Sequence, residues 1–462
     1  MEIPIKQSLN PAPSRTDTTN PAAAPMTTSG LSGAARGGPP LWLPLPFLLT
    51  GACGAAAFGL LLPFVAPQAL LAPGFPHVLA LVHTATLGWL TMTIMGASLQ
   101  LAPVILVSPL RAARFAWAQY PLYLTGVTLL ITGFWATQTP LLIAGGSLVV
   151  LAVAHYAVIL GTTLIRSATR PLSAWYLCAS VCYLCVVVSL GLTAALNFQF
   201  GFLNALGAGA ERLLLAHITV GIVGWLTCTL IGVSYTLVRM FALVHDHRDT
   251  LGRRIFWLLN ASVVGLAVAF ALDWAPLQAL AGMGLIAAAW LFGYDYIRML
   301  RARKRKPLDV TQRHAVAAVG YLVVVAPAGV AVSLFGGAPQ RLQPTLLALG
   351  LAALVGWLGQ SVIGYLYKIV PFLIWQTRYG PLVGRRKVPL MRDLIEQRAA
   401  TLSFWLLNIA LPVALVCAVM DWAVPLQFAA GAIGVGLALA AANIVGVLLP
   451  RRAEAPRPAP VS

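Results

Sequence analysis

Seven histidines and six cysteines carry most of the metal-binding chemistry in this chain of 462 residues. Among the histidines in apolar stretches, three are the main candidates. His77 and His83 lie near the start of one long apolar stretch, and His217 near the start of another. A neutral imidazole is a good ligand for haem iron or copper, and a polar side chain without a partner in an apolar setting is costly. Two helices each offering a histidine at similar depth is the arrangement a bis-histidine haem b needs. At 100° per residue, His77 and His217 fall within about 20° of a glycine line further along their helices, and His83 about 140° away. Helical arithmetic therefore points His77 and His217 inward without settling which residues coordinate. The plainer reading of all three is a set of hydrogen-bonded interface histidines.

A second group is Cys178, Cys182 and Cys185 on one helical face, with His155 at matching depth one stretch earlier. Thiolate with imidazole suits soft copper(I), although free cysteine is also a common buried apolar residue. His245-Asp246-His247, with Asp249, sits in a polar connection, where two ligands on a loop do not complete a site and a solvated loop is expected. The chain has no GxxxxGK[ST] loop, HExxH pair or GxSxG elbow, so nothing marks an ATP-driven pump or a hydrolase.

The elements that must position these residues follow from composition. Apolar residues make up 59% of the chain and charged ones 9%, with a mean hydropathy of +0.85. Soluble domains are about 25% charged, so the sequence describes a polytopic all-α membrane protein. Twelve stretches approach the roughly 20 apolar residues a span needs: about 41–62, 77–106, 116–136, 140–165, 171–198, 212–243, 254–272, 275–299, 313–336, 343–374, 401–421 and 425–449. They are apolar throughout rather than on alternate residues, which excludes a closed barrel. Of the 30 Lys and Arg, only Arg212 and Arg341 fall at the odd-numbered connections. By the positive-inside rule both termini are expected in the cytoplasm. The net charge of +18 then reads as topology rather than as a nucleic-acid site. Residues 1–40 and 450–462, rich in Pro, Ala and small polar residues, read as disordered cytoplasmic tails. The six cysteines all fall in spans, so no disulfide framework is expected.

An internal repeat organises the spans. Gly88-Trp89 with Gly96, Gly224-Trp225 with Gly232, and Gly356-Trp357 with Gly364 share one spacing. Phe256-Trp257-Leu258-Leu259-Asn260 recurs as Phe404-Trp405-Leu406-Leu407-Asn408, each followed by Asp-Trp-Ala, at Asp273 and Asp421. A weaker copy is Phe134-Trp135-Ala136. Three parallel four-helix repeats, about 41–166, 171–300 and 312–449, account for these matches. Glycines at four- and eight-residue spacing let helices approach closely in lipid, so the second helix of each unit is expected inside the bundle. Lys368 and Arg239, near the basic ends of theirs, are expected to snorkel, with a proton-path role as the alternative.

Twelve helices in three parallel sets of four resemble subunit I of the haem–copper oxidases. Within that superfamily, the histidines at the outer ends of spans 2 and 6 and the Gly-Trp pairs inside them resemble the divergent NnrS-type membrane proteins. The resemblance implies a bacterial inner membrane, haem ligands on helices 2 and 10, and copper ligands on helices 6 and 7. It favours His83 on span 2. Spans 7 and 10 contain no histidine, so a complete oxygen-reducing centre, and hence oxidase activity, is not expected. The expectation is a non-oxidase that binds haem b or copper through His77, His83 and His217. It would serve electron transfer, metal or haem handling, or a nitric oxide response, with a redox partner or an oxidase-type membrane subunit beside it. The alternative is a cofactor-free transporter or channel with Gln100, Gln360, Lys368 and Asn443 lining a path. A structural assembly factor on a vestigial scaffold is a third reading.

Overall fold

The computed structural model describes residues 39–450 except 73, 112, 245, 246, 305, 306 and 336–338. The expected tails therefore lie almost wholly outside the described residues. Twelve long helices run in order: α1 Pro44–Leu71, α2 Pro76–Leu106, α3 Gln119–Trp135, α4 Thr139–Ile165, α5 Leu172–Phe200, α6 Gly209–Ala242, α7 Thr250–Leu272, α8 Ala275–Arg301, α9 Val310–Phe335, α10 Leu342–Leu382, α11 Gln397–Val419 and α12 Ala423–Gly446. There is no strand among the described residues. Eleven of the twelve are long and apolar enough to cross a membrane. The twelfth, α3, has 17 residues, about 26 Å at 1.5 Å per residue, somewhat less than a hydrocarbon core. It packs along α4.

The helices run longer than their apolar stretches suggest. α1 continues through Pro63 and Pro67 to Leu71, taking in much of the expected first connection. α10 continues past Ile374 through a π-helical turn, Trp375–Tyr379. Proline in the first turn starts α1, α4 and α8, where its missing N–H has no partner to lose.

Three arcs surround three inner helices. α3, α4 and α5 pack in sequence, as do α7, α8 and α9. The third arc is α11, α12 and α1, joined because the last helix lies along the first. Gly59 and Gly434 allow that closure: a Cβ on Gly59 would stand 2.9 Å from the Gly434 Cα. α2, α6 and α10 occupy the middle. Their cores are joined by tryptophans, with Trp225 Nε1 donating to Thr91 Oγ1 at 2.9 Å and Trp357 Nε1 donating to Thr227 Oγ1 at 2.9 Å.

Each inner helix also unwinds into a π-helical segment around its Gly-Trp pair: Thr84–Thr91, Thr219–Thr227 and Ala352–Gly359. Such i→i+5 turns are rare, and frequent where a helix carries function. The helices α3, α7 and α11 end alike, with Thr137, Asp273 and Asp421 in the left-handed region and the next N–H reaching back five residues, to Gly133, Ala269 and Cys417. This is the Schellman closure. Asp273 and Asp421 thus cap through their backbone, and the Asp273 carboxylate pairs with Arg212 at 2.9 Å.

Candidate functional site

His83 and His217 come together. Their ring centres are 6.5 Å apart with planes inclined by 29°. His83 Nδ1 bonds the Leu79 carbonyl at 2.8 Å, one turn back in its own helix. His217 Nδ1 bonds the Val187 carbonyl of α5 at 3.1 Å. A carbonyl only accepts, so both rings carry their proton on Nδ1 and present Nε2 as a lone pair. This is the tautomer that metal-ligating histidines take when a backbone carbonyl orients them. Phe134 of α3 stacks on His83 at 5.0 Å. Gly191 makes room for His217 against α5, since a Cβ there would lie 3.0 Å from the imidazole Cε1.

His77 stands apart from this pair. It stacks on Trp135 at 4.6 Å and its Nδ1 meets Gln68 Oε1 at 3.2 Å. The π segments explain why helical arithmetic chose differently. An i→i+5 turn advances by roughly 80° per residue instead of 100°. Five such steps between His83 and Gly88 turn His83 from about 140° to about 40° off the glycine line, and turn His77 from about 20° to about 80°.

The remaining candidates are dispersed. Cys178 and Cys182 are exposed on the apolar flank of α5, Cys185 is half-buried, and His155 is half-buried on α4. No group of three His, Cys, Asp or Glu placed to hold a metal occurs among the described residues. His245 and Asp246 lie outside the described residues. His247 is not solvated as expected: its Nε2 meets Asp295 Oδ1 at 3.1 Å, and Asp295 is fully buried. Asp295 also accepts from the Tyr235 hydroxyl at 3.1 Å and has Arg298 at 3.8 Å. Asp295 and Arg298, three residues apart on α8, thus form one side of a larger cluster that ties the α6–α7 connection to α8.

No family model and no curated protein matches this chain.

Most of the polar residues named for a transport path meet partners within the bundle. Gln360 exchanges hydrogen bonds with Asn408 of α11. Asn443 holds the backbone of Glu396 at both ends of its amide. Lys368 Nζ meets Asp309 Oδ2 at 2.6 Å, and Arg239 meets Asp249 at 2.6 Å, so both cations end in ion pairs. Gln100 is buried on α2. Between α2, α6 and α10 lies a cavity of about 40 Å³, walled chiefly by side chains such as Ile94, Leu230, Val233 and Leu366. An apolar cavity of that kind stays dry.

One buried group was not singled out from the sequence. His314 of α9 has no exposed surface. Its Nδ1 meets Gln360 Oε1 at 3.2 Å, and its Nε2 has no hydrogen-bond partner. The signal available was Gln360 in the glycine stripe of α10, a buried amide that needed a polar partner on a neighbouring helix.

Proposed function

We propose that this protein is a multi-pass inner-membrane protein of the haem–copper oxidase subunit I-like type that holds one redox metal, as copper or as haem b iron, between His83 and His217. The observation that carries this is the imidazole pair: two rings 6.5 Å apart, each with Nδ1 on a carbonyl and Nε2 free. A metal would be held through the two Nε2 lone pairs, which the carbonyls on Nδ1 leave open. The donor set fits copper(I) and haem iron equally, since both accept neutral imidazole. When bound, such a centre supplies one-electron chemistry. The residues of the chain orient it: Leu79 and Val187 fix the tautomers, Phe134 shields one imidazole, and Gly191 makes room for the other.

In the same reading, the chain is three parallel four-helix units with α2, α6 and α10 as the second helix of each. The three π segments at Gly-Trp, the chain of Trp–Thr bonds and the three Schellman ends support it. Electron transfer, metal or haem handling, or nitric oxide response suits such a centre better than oxygen reduction, because α7 and α10 offer no histidine for the rest of an oxidase site. A redox partner would dock on the face opposite the basic connections, where α2 and α6 begin.

The test is a visible spectrum and metal analysis of the purified full-length protein and of His83→Ala, His217→Ala and His77→Ala. The reading expects one metal or haem per chain, lost in the first two variants and retained in the third. A metal-free and colourless preparation, or loss only in His77→Ala, would overturn it.

A further inference from the structure

The three inner helices meet their arcs through matching contacts. A Cβ on Gly96 would strike Phe47, one on Gly232 would strike Tyr176, and one on Gly364 would come within 3.0 Å of His314. One position therefore holds an aromatic ring twice and an imidazole once. Tyr176 is satisfied by donating to the Gly252 carbonyl at 2.9 Å. His314 has Gln360 on Nδ1 and nothing on Nε2. Two residues earlier, Gln312 is 5% exposed, and neither its amide oxygen nor its amide nitrogen has a partner. Three buried polar atoms within one turn of one helix amount to several kcal/mol of unmet desolvation. Buried groups in that state are ordinarily met by water.

Water can approach these groups from one side. A cleft of about 500 Å³ opens on the basic face between α9, α10 and the 391–397 segment, lined by Asp309, Thr311, Tyr367, Lys368 and Glu396 among others. Tyr367 belongs both to this cleft and to the surroundings of His314, with ring centres 5.9 Å apart. The charged groups at the mouth are the Asp309–Lys368 pair, Glu396, Asp393 and Arg392. Tyr367 follows inward from α10. From α11 the group is faced by Phe404, which does not titrate, at 5.1 Å.

We infer that this cleft and the groups behind it form a hydrated inlet that delivers protons from the basic face to His314. In the step, a proton from an inlet water forms the Nε2–H bond of His314 while Nδ1 keeps its own proton toward Gln360 Oε1. The released hydroxide is neutralised by a proton passed along the water from the cleft. Acidic and basic groups alternate at the mouth, which suits a proton rather than an anion or a metal cation: Lys368 repels the cation, and Asp309 and Glu396 repel the anion. The inlet lies near the basic face, at the other end of the helices from His83 and His217, and does not depend on a metal there.

Two measurements on full-length protein in lipid nanodiscs test this. In a cysteine-free background, Gln312→Cys is expected to react with a water-soluble cationic methanethiosulfonate at least tenfold faster than Ala174→Cys, the matching position of α5. In 15N-histidine spectra, the resonance absent from His314→Phe, which installs the residue found at position 47, is expected to move with bulk pH. Lys368→Met is expected to slow that exchange. Equal reaction rates for the two cysteines, or a His314 resonance fixed from pH 5 to 9, would overturn the inference. The spectra settle it even if the cysteine-free chain fails to fold.

Discussion

The tryptophan chain through the inner helices gives a prediction whose size follows from the structure. Trp225 and Thr91 are 2% and 1% exposed and meet at 2.9 Å. Thr91→Val keeps the shape of the side chain and removes the acceptor. A buried donor left unpaired costs about 1–3 kcal/mol, whereas interhelical hydrogen bonds between membrane helices average about 0.6 and reach about 1.7 kcal/mol. The lower range reflects partners found in the unfolded chain. The upper part applies here because the folded site admits neither water nor lipid. We expect Thr91→Val to destabilise by about 1.5 kcal/mol, roughly tenfold in the unfolding equilibrium. Trp225→Phe removes donor and volume together, so the bond is isolated by the double-mutant cycle, measured by reversible unfolding of the purified protein in mixed micelles. The expected coupling is about 1 kcal/mol, and the same for Thr227 with Trp357. Additivity within about 0.4 kcal/mol, the scatter of independent sites, would refute the reasoning. Trp89 provides the contrast: it packs on Gly359, which stands where Thr91 and Thr227 stand in the other two, and its Nε1 has no partner. No single acceptor is coupled to it.

Three further outcomes follow. Gly191→Ala places a methyl 3.0 Å from His217 Cε1, so it should lower metal or haem affinity at least tenfold while thermal unfolding stays within a few degrees, read by titration and calorimetry. Asp295→Ala leaves His247 and Tyr235 facing an emptied buried site. Breaking such a pair costs about 3–5 kcal/mol, measurable in mixed-micelle unfolding, whereas Asp393→Ala on the surface should cost less than about 0.5 kcal/mol. Gly434→Val puts side-chain bulk where Gly59 already makes contact. It should separate α12 from α1 and expose residues near position 59 to proteolysis or labelling that the native protein resists.

The helices were legible because membrane insertion demands long apolar runs, and the basic connections between them are visible as charge. Their ends were less so: α1 continues through two prolines since apolar neighbours hold it, and α10 is prolonged by a π turn. The histidine pair was legible in residue type but not in geometry. A π segment leaves no mark in spacing, and one wide turn exchanges the faces of His77 and His83. His247 read as solvated because its own loop is polar. Its partner, Asp295, belongs to a helix distant in sequence, and Arg298 is half exposed and cannot alone satisfy a fully buried carboxylate. His314 lay unremarked in a span for the same reason: its meaning comes from Gln360 and Asn408 on two other helices.

The most direct measurement of the central claim is the X-ray absorption spectrum of the metal bound to purified protein, native and with both His83→Ala and His217→Ala. The proposed site predicts two imidazole nitrogens at about 2.0 Å from one copper or iron, with that shell and the metal both lost in the double variant. A sulfur shell, or the same imidazole shell surviving without His83 and His217, would contradict it.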